Sequence, residues 1–182
     1  MPVFDIPDSS RLRYRLMDAR DLPLWYELDQ DPEVMRYLND GKPSTWEELE
    51  TYFVPRVAAF TDPATGLGLW AVNDKESDAY LGWVLVRQYR FGEPACEPDN
   101  LELGWRFKRE TWGKGLATEA AQALLTVFQR DPAIRAFCAV ADPDNLASIG
   151  VMKKLGMRYV DQRLHHTPLR DFSCVYYERP RL

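Results

Sequence analysis

The chain has 182 residues, 46% of them hydrophobic and 28% charged. This suits one domain over 1–182 and is thin for two. Lys and Arg number 23 against 28 Asp and Glu, a formal charge of −5, so the overall field repels nucleic acid and anionic lipid.

In chain order, 11–16 alternates as a strand, and Asp21 followed by Pro23 predicts a short capped helix. Ser44-Thr45-Trp46-Glu47 has the form of a capping box, and Trp46, Leu49, Phe53, Val57 and Phe60 follow at helical spacing. Pro55 has no N–H to give and predicts a kink or division of that helix. Strands are expected over 69–72, 80–88 and 101–108, with 93–100 as a surface loop. In the third strand Leu101, Leu103, Trp105 and Phe107 alternate with Glu102, Gly104, Arg106 and Lys108, which puts Glu102 on its polar side. A glycine turn then leads to a helix with Leu116, Ala120, Leu124, Val127 and Phe128 on one face, and 134–140 reads as a buried strand. A second helix over 145–155 has Asp142 or Asp144 available as cap, with Lys153 and Lys154 in its last turn and Gly156 beyond. Strands over 157–160 and 173–177 close the sheet. The expected fold class is mixed α/β (α+β), with one parallel crossover in a largely antiparallel sheet.

A membrane span needs about 20 apolar residues, and the best run, 116–128, is shorter and broken by Thr118, Glu119 and Gln122. The first five residues lack the pattern of a secretory signal, and Cys96, Cys138 and Cys174 are too scattered for a disulfide framework. A reducing cytoplasm is the expected compartment.

Trp112-Gly113-Lys114-Gly115-Leu116-Ala117-Thr118 sits where a strand ends and a helix begins, so free N–H groups and the positive helix end can receive phosphate oxygens. A Walker loop requires Gly-Lys-Ser/Thr, whereas Lys114 is followed by Gly115; a dinucleotide fingerprint requires a small residue where Thr118 stands. The glycines also suit a plain tight turn. Against that, Arg106, Lys108, Arg109 and Lys114 set four positive charges against Glu110 within nine residues, reversing the chain's sign locally.

Trp112 to Ala117 resembles the acyl-CoA pyrophosphate loop of the GNAT superfamily of N-acetyltransferases, Gln/Arg-x-x-Gly-x-Gly/Ala, with Trp112 departing from the first position. The continuation through Ala120 is similar to the RimJ/RimL-like branch, which acetylates the N-termini of ribosomal proteins. A second match is Asn145-Leu146-Ala147-Ser148, followed by Val151-Met152-Lys153-Lys154-Leu155-Gly156-Met157. The likeness spans the chain in element order and is motif-specific from Glu102 to Met157.

The resemblance implies a sheet of about seven strands with helices on both faces and a splayed strand pair that holds acetyl-CoA. Backbone near Trp105 to Phe107, on a bulged strand, would face the thioester and pantetheine, and Asn145 would hold the pantetheine arm. Lys108, Lys114 and the amides of Gly113, Lys114, Gly115, Leu116, Ala117 and Thr118 would hold the pyrophosphate, with Lys153 a further candidate. Glu102 would take the proton of the acceptor amine. Ser148 would protonate the leaving thiolate, because Met152 stands where many relatives carry a Tyr. Read from the residues alone, Asn145 is a helix cap, Ser148 a first-turn hydroxyl and Glu102 a solvated strand carboxylate.

The implied acceptor is a protein N-terminal α-amine, with a small amine such as an amino sugar or antibiotic, or a non-catalytic acyl-CoA-binding module, as alternatives. By analogy the first helices wall the acceptor groove, through Trp25, Met35 and Tyr37. His165 and His166 point in opposite directions on an extended segment, so they suit a substrate-facing or merely exposed loop better than a metal site. No metal is expected, and dimers are common in the family.

Overall fold

The structure, a computed structural model, describes residues 4–39, 41–166 and 171–182, without the side chains of His165 and His166. The acceptor-facing role expected of His165 therefore lies outside the described residues. Seven strands form one sheet: β1 Leu12–Leu16, β2 Gly68–Asp74, β3 Tyr80–Tyr89, β4 Glu97–Phe107, β5 Ala136–Ala141, β6 Arg158–His166 and β7 Asp171–Pro180. Their order is β1-β2-β3-β4-β5-β7-β6. All neighbours run antiparallel except β4 and β5. Among the described residues, no helix is long and apolar enough to cross a membrane.

Helices α1 Leu22–Asp29, α2 Pro32–Met35, α3 Trp46–Glu48 and α4 Val54–Phe60 precede β2, while α5 Leu116–Phe128 joins β4 to β5 and α6 Leu146–Lys154 follows β5. A parallel pair needs such a crossover. Helix α5 buries Ala120, Ala121, Leu124, Leu125 and Phe128 against Leu101, Leu103, Phe107 and Phe137 on one face of the sheet. On the other face Trp25, Leu28, Val57 and Phe60 from the first helices cover Leu69, Ala71 and Trp83. Each fully buried Leu or Phe contributes about 1.5–3 kcal/mol, so both layers hold the sheet.

Several local expectations shift. Asp21 stands at the N-cap of α1 with Pro23 in the first turn, but its side chain makes no cap bond there; it closes a capping box with Asp18 on the preceding 3-10 turn, accepting from the Asp18 N–H at 2.9 Å. The capping box is Thr45 with Glu48, one residue later than the spacing suggested, because Ser44 donates its hydroxyl to Asp29 at 2.7 Å. Pro55 divides the helix as expected: Leu49–Phe53 widens into a π-helix, and Pro55 enters the first turn of α4, where no N–H is missed. Strand β4 starts at Glu97, so half of the expected 93–100 loop is strand, and Asn100 is fully buried.

The N-terminal segment is clasped to α5. Glu119, in the first turn of α5, accepts from the Ser9 hydroxyl at 2.6 Å, the Arg11 N–H at 2.9 Å and the Arg11 Nε at 2.7 Å. Burial alone would raise this carboxyl, but the Ser9, Arg11 and Ser10 donors outweigh it and hold it at about 2. A carboxylate depressed in the folded state stabilises above its unfolded value and loses that contribution as pH falls toward the folded one. Glu119→Gln should therefore melt below the parent protein at pH 7. The gap should close between about pH 4.5 and about 2; thermal melts across that range check it, and a gap constant with pH would contradict it.

Candidate active site

Strands β4 and β5 pair over only three positions, Asn100 with Ala136, Leu101 with Phe137 and Glu102 with Cys138. Beyond Glu102, β4 stays on β3 as far as Phe107, while β5 stays on β7 as far as Ala141. Among the described residues the facing edges have no strand partners, which opens a wedge toward the C-terminal end of β4. The irregularity in β4 lies early in the strand: the β3–β4 register shifts between Gln88 and Tyr89, where the partner on β4 passes from Leu101 to Glu97, and it runs unbroken from Leu101 to Phe107. The wedge arises because each strand follows its own outer neighbour. Within it Trp105 is half-buried, and Phe107 is buried against the α5 core.

The 112–118 loop follows the C-terminal end of β4, toward which the wedge opens, and leads into α5. Gly113 and Gly115 take left-handed φ values of +73° and +75°, and Gly115 caps α5 without a side-chain bond. The first helical bond is from the Glu119 N–H to the Gly115 carbonyl, at 3.0 Å. Among the described residues no acceptor meets the N–H groups of Gly113, Lys114, Gly115, Leu116, Ala117 and Thr118. A Cβ on Gly113 would touch nothing within 4 Å, so the loop is open on that side. Six unpaired donors at a positive helix end suit a pyrophosphate, and the exposed Lys114 adds a cation.

Lys108 is turned elsewhere: its Nζ lies 2.6 Å from Glu27 Oε1 on α1. In this arrangement it joins β4 to the first helices. Nearby Arg106 pairs with the buried Asp29 of the same helix. Lys153 is exposed in the last turn of α6.

Glu102 closes the apex of the wedge. It is buried, not solvated, and Arg87, its cross-strand partner on β3, lies 2.8 Å from its Oε2. Cys138 stands opposite on β5. Burial, and then the charge of Glu102, push the Cys138 thiol far up, and the same two causes raise Cys174 to about 11. Both thiols stay protonated at neutral pH, so neither offers a thiolate nucleophile.

Asn145 and Ser148 meet at the start of α6, where the Asn145 side chain accepts from the Ser148 N–H at 3.1 Å. Asn145 thus caps the helix in place of Asp142 or Asp144, and the Ser148 hydroxyl has no partner among the described residues. Met152 is fully buried in the core. Of the expected groove wall, Trp25 and Met35 are in the interior, Trp25 donating to the Met17 sulfur at 3.4 Å. Tyr37 is half-buried, with the Arg36 guanidinium 5.4 Å from its ring centre. Arg87 was not anticipated; its role follows from strand register, which local patterning does not encode.

The family signature described as "Acetyltransferase (GNAT) domain" matches residues 11–158. The protein YkkB of Bacillus subtilis, uncharacterized, is 31% identical over 152 residues, covering 83% of this chain and 84% of that protein. A GNAT-family acetyltransferase structure from Bacillus anthracis aligns with a TM-score of 0.74 at 27% identity, over 98% of this chain and 99% of that one. Two structures solved with coenzyme A share the fold at lower identity. RimL, a ribosomal alpha-N-protein acetyltransferase, has a TM-score of 0.73 at 18% identity over 96% and 97% of the chains. The aminoglycoside acetyltransferase AAC(6')-Ib has 0.75 at 20% identity over 93% and 95%. The seven-stranded mixed sheet, the wedge between its two parallel strands and the match across 11–158 together make this chain a member of the GNAT family of acetyl-CoA-dependent acetyltransferases.

Proposed function

We propose that the chain transfers the acetyl group of acetyl-CoA directly to a primary amine in a ternary complex, and that the amine is the α-amino group of a protein N-terminus. The observation that carries the transfer is the wedge, with a buried carboxylate at its apex and six unpaired amides in the loop that follows β4. Gly113, Lys114, Gly115, Leu116, Ala117 and Thr118 bind the pyrophosphate through their backbone, and the unpaired β4 edge near Trp105 and Phe107 lines the pantetheine. Asn145 orients the start of α6 beside that arm. Glu102 takes a proton from the incoming ammonium, leaving the lone pair to attack the thioester carbonyl. The amine forms the C–N bond as the C–S bond breaks, and Ser148 hydrogen-bonds the departing thiolate and relays to it the second N–H proton, so that the products are the amide, the coenzyme A thiol and protonated Glu102. Burial raises the thiols of Cys138 and Cys174 near the apex, so neither supplies a resting thiolate for an acyl-enzyme, which favours direct transfer.

The α-amine assignment is supported by the similarity of 113–120 to the RimJ/RimL-like branch. It is also supported by chemistry, since an α-amine has a reference pKa of about 7.7–8.0 against about 10.4 for Lys and needs only a modest base. Thiol release measured with N-terminal peptides, amino sugars and aminoglycosides tests both parts. Turnover with peptides above the small amines is expected; a preference for small amines would reassign the acceptor, and tight acetyl-CoA binding with no thiol from any amine would remove the transfer.

A thiol has a pKa of about 8.5, so its thiolate leaves with little help. Ser148→Ala should accordingly lower kcat only about tenfold while leaving the KM for acetyl-CoA within about twofold. Steady-state kinetics decide this, and a raised KM at constant kcat would make Ser148 a binding group.

A further inference from the structure

We propose that Arg87 is a positioning residue for the transfer: it clamps one oxygen of Glu102 and leaves the other to the acceptor amine. The inference rests on Glu102 as the proton acceptor. Nε and Nη2 of Arg87 each lie 2.8 Å from the same atom, Oε2. No described residue donates to Oε1. A guanidinium that only neutralised a carboxylate would set its fork across both oxygens, two parallel bonds being the stronger arrangement. Here the fork straddles a single oxygen.

The clamp is itself held. Arg87 and Glu102 face each other in the β3–β4 register, their side chains are 10% and 7% exposed, and the Arg87 guanidinium lies 5.8 Å from the ring centre of Phe60 on α4. As a stability device the pair is inefficient, since a well-packed apolar pair of similar volume is commonly as good or better. What the ion pair adds is orientation. Glu102 occupies the last paired position before the wedge opens, where rotation about its terminal bond would move the free oxygen relative to any amine in the wedge. Holding Oε2 fixes Oε1, and misplacing a reacting group by about 1 Å can cost about 100-fold in rate.

The test is a double-mutant cycle on the full chain with acetyl-CoA and the best amine of the panel. Arg87→Met should lower kcat about 30-fold, with the acetyl-CoA dissociation constant within about twofold, because the pyrophosphate loop is untouched. Arg87→Lys, a point charge without a fork, should recover only part of that loss. Combined with Glu102→Gln, Arg87→Met should cost nothing further, since the clamp acts only through the carboxylate. Losses that multiply in the double variant, or full activity of Arg87→Met beside an inactive Glu102→Gln, would overturn the proposal and leave the Glu102 reading standing. Full activity of Glu102→Gln would remove both. If Arg87→Met fails to fold, full activity of Arg87→Lys overturns the clamp in its place.

Discussion

Glu102→Gln is expected to lower kcat by about 100- to 1,000-fold while the KM for acetyl-CoA changes by less than about twofold. A positioned general base contributes about 10²–10⁴, and Glu102 is separated from the pyrophosphate loop by the length of the wedge. The amide keeps the shape of the carboxyl and an oxygen for Arg87, but it cannot take a proton. The loss should depend on pH with a definite sign. Below about pH 7.7–8.0 an α-amine arrives protonated and needs the base, whereas above it the amine arrives neutral. The gap between parent and variant should therefore widen as pH falls and narrow as it rises. Thiol release across pH 6–9 measures it, and a small loss constant with pH would take Glu102 out of the role. The variant should also melt lower, because Arg87 loses its counter-charge in a buried site.

Gly115→Val is expected to raise the KM for acetyl-CoA by about 10- to 100-fold with a much smaller change in kcat. Gly115 sits at φ +75°, a conformation that costs an L-residue about 1–2 kcal/mol and a β-branched one more. A Cβ there meets only the Arg11 guanidinium, at 3.8 Å, so sterics leave room and the backbone carries the strain. The loop relieves it by rotating, which rearranges the six unpaired amides of 113–118. Gly92 supplies the control: its φ is +84° and a Cβ would touch nothing within 4 Å, but it lies in the loop between β3 and β4. Gly92→Val should carry a similar stability cost with an unchanged KM. Equal effects of the two substitutions on acetyl-CoA affinity, measured by titration, would show that only global stability had been perturbed.

The glycine turn and the helix behind it were legible because they depend on neighbours in sequence. Glycines that permit positive φ, a strand running into a helix and an apolar stripe at helical spacing are all local. The same holds for the division of the helix at Pro55. The residues whose roles changed have partners far away in the chain. Lys108 looked like one of four cations beside the loop, and in the fold it pairs with Glu27, 81 positions earlier. Trp25 and Met35 looked like groove residues by analogy, and packing of the first helices against the sheet buries them. Glu102 sits on the alternating polar side of its strand, yet that side is covered, because Arg87 is delivered to it by the register of β3 against β4.

By itself the sequence determined the element order, the crossover that demands a parallel pair and the glycine turn into α5, since each follows from backbone preferences and periodicities a few residues long. Tertiary structure alone decided where β4 and β5 part, which charges are already paired and which oxygen of Glu102 is left open. Those features depend on which strands become neighbours and in what register, and a local stretch of chain carries no record of a partner 15 or 81 residues away.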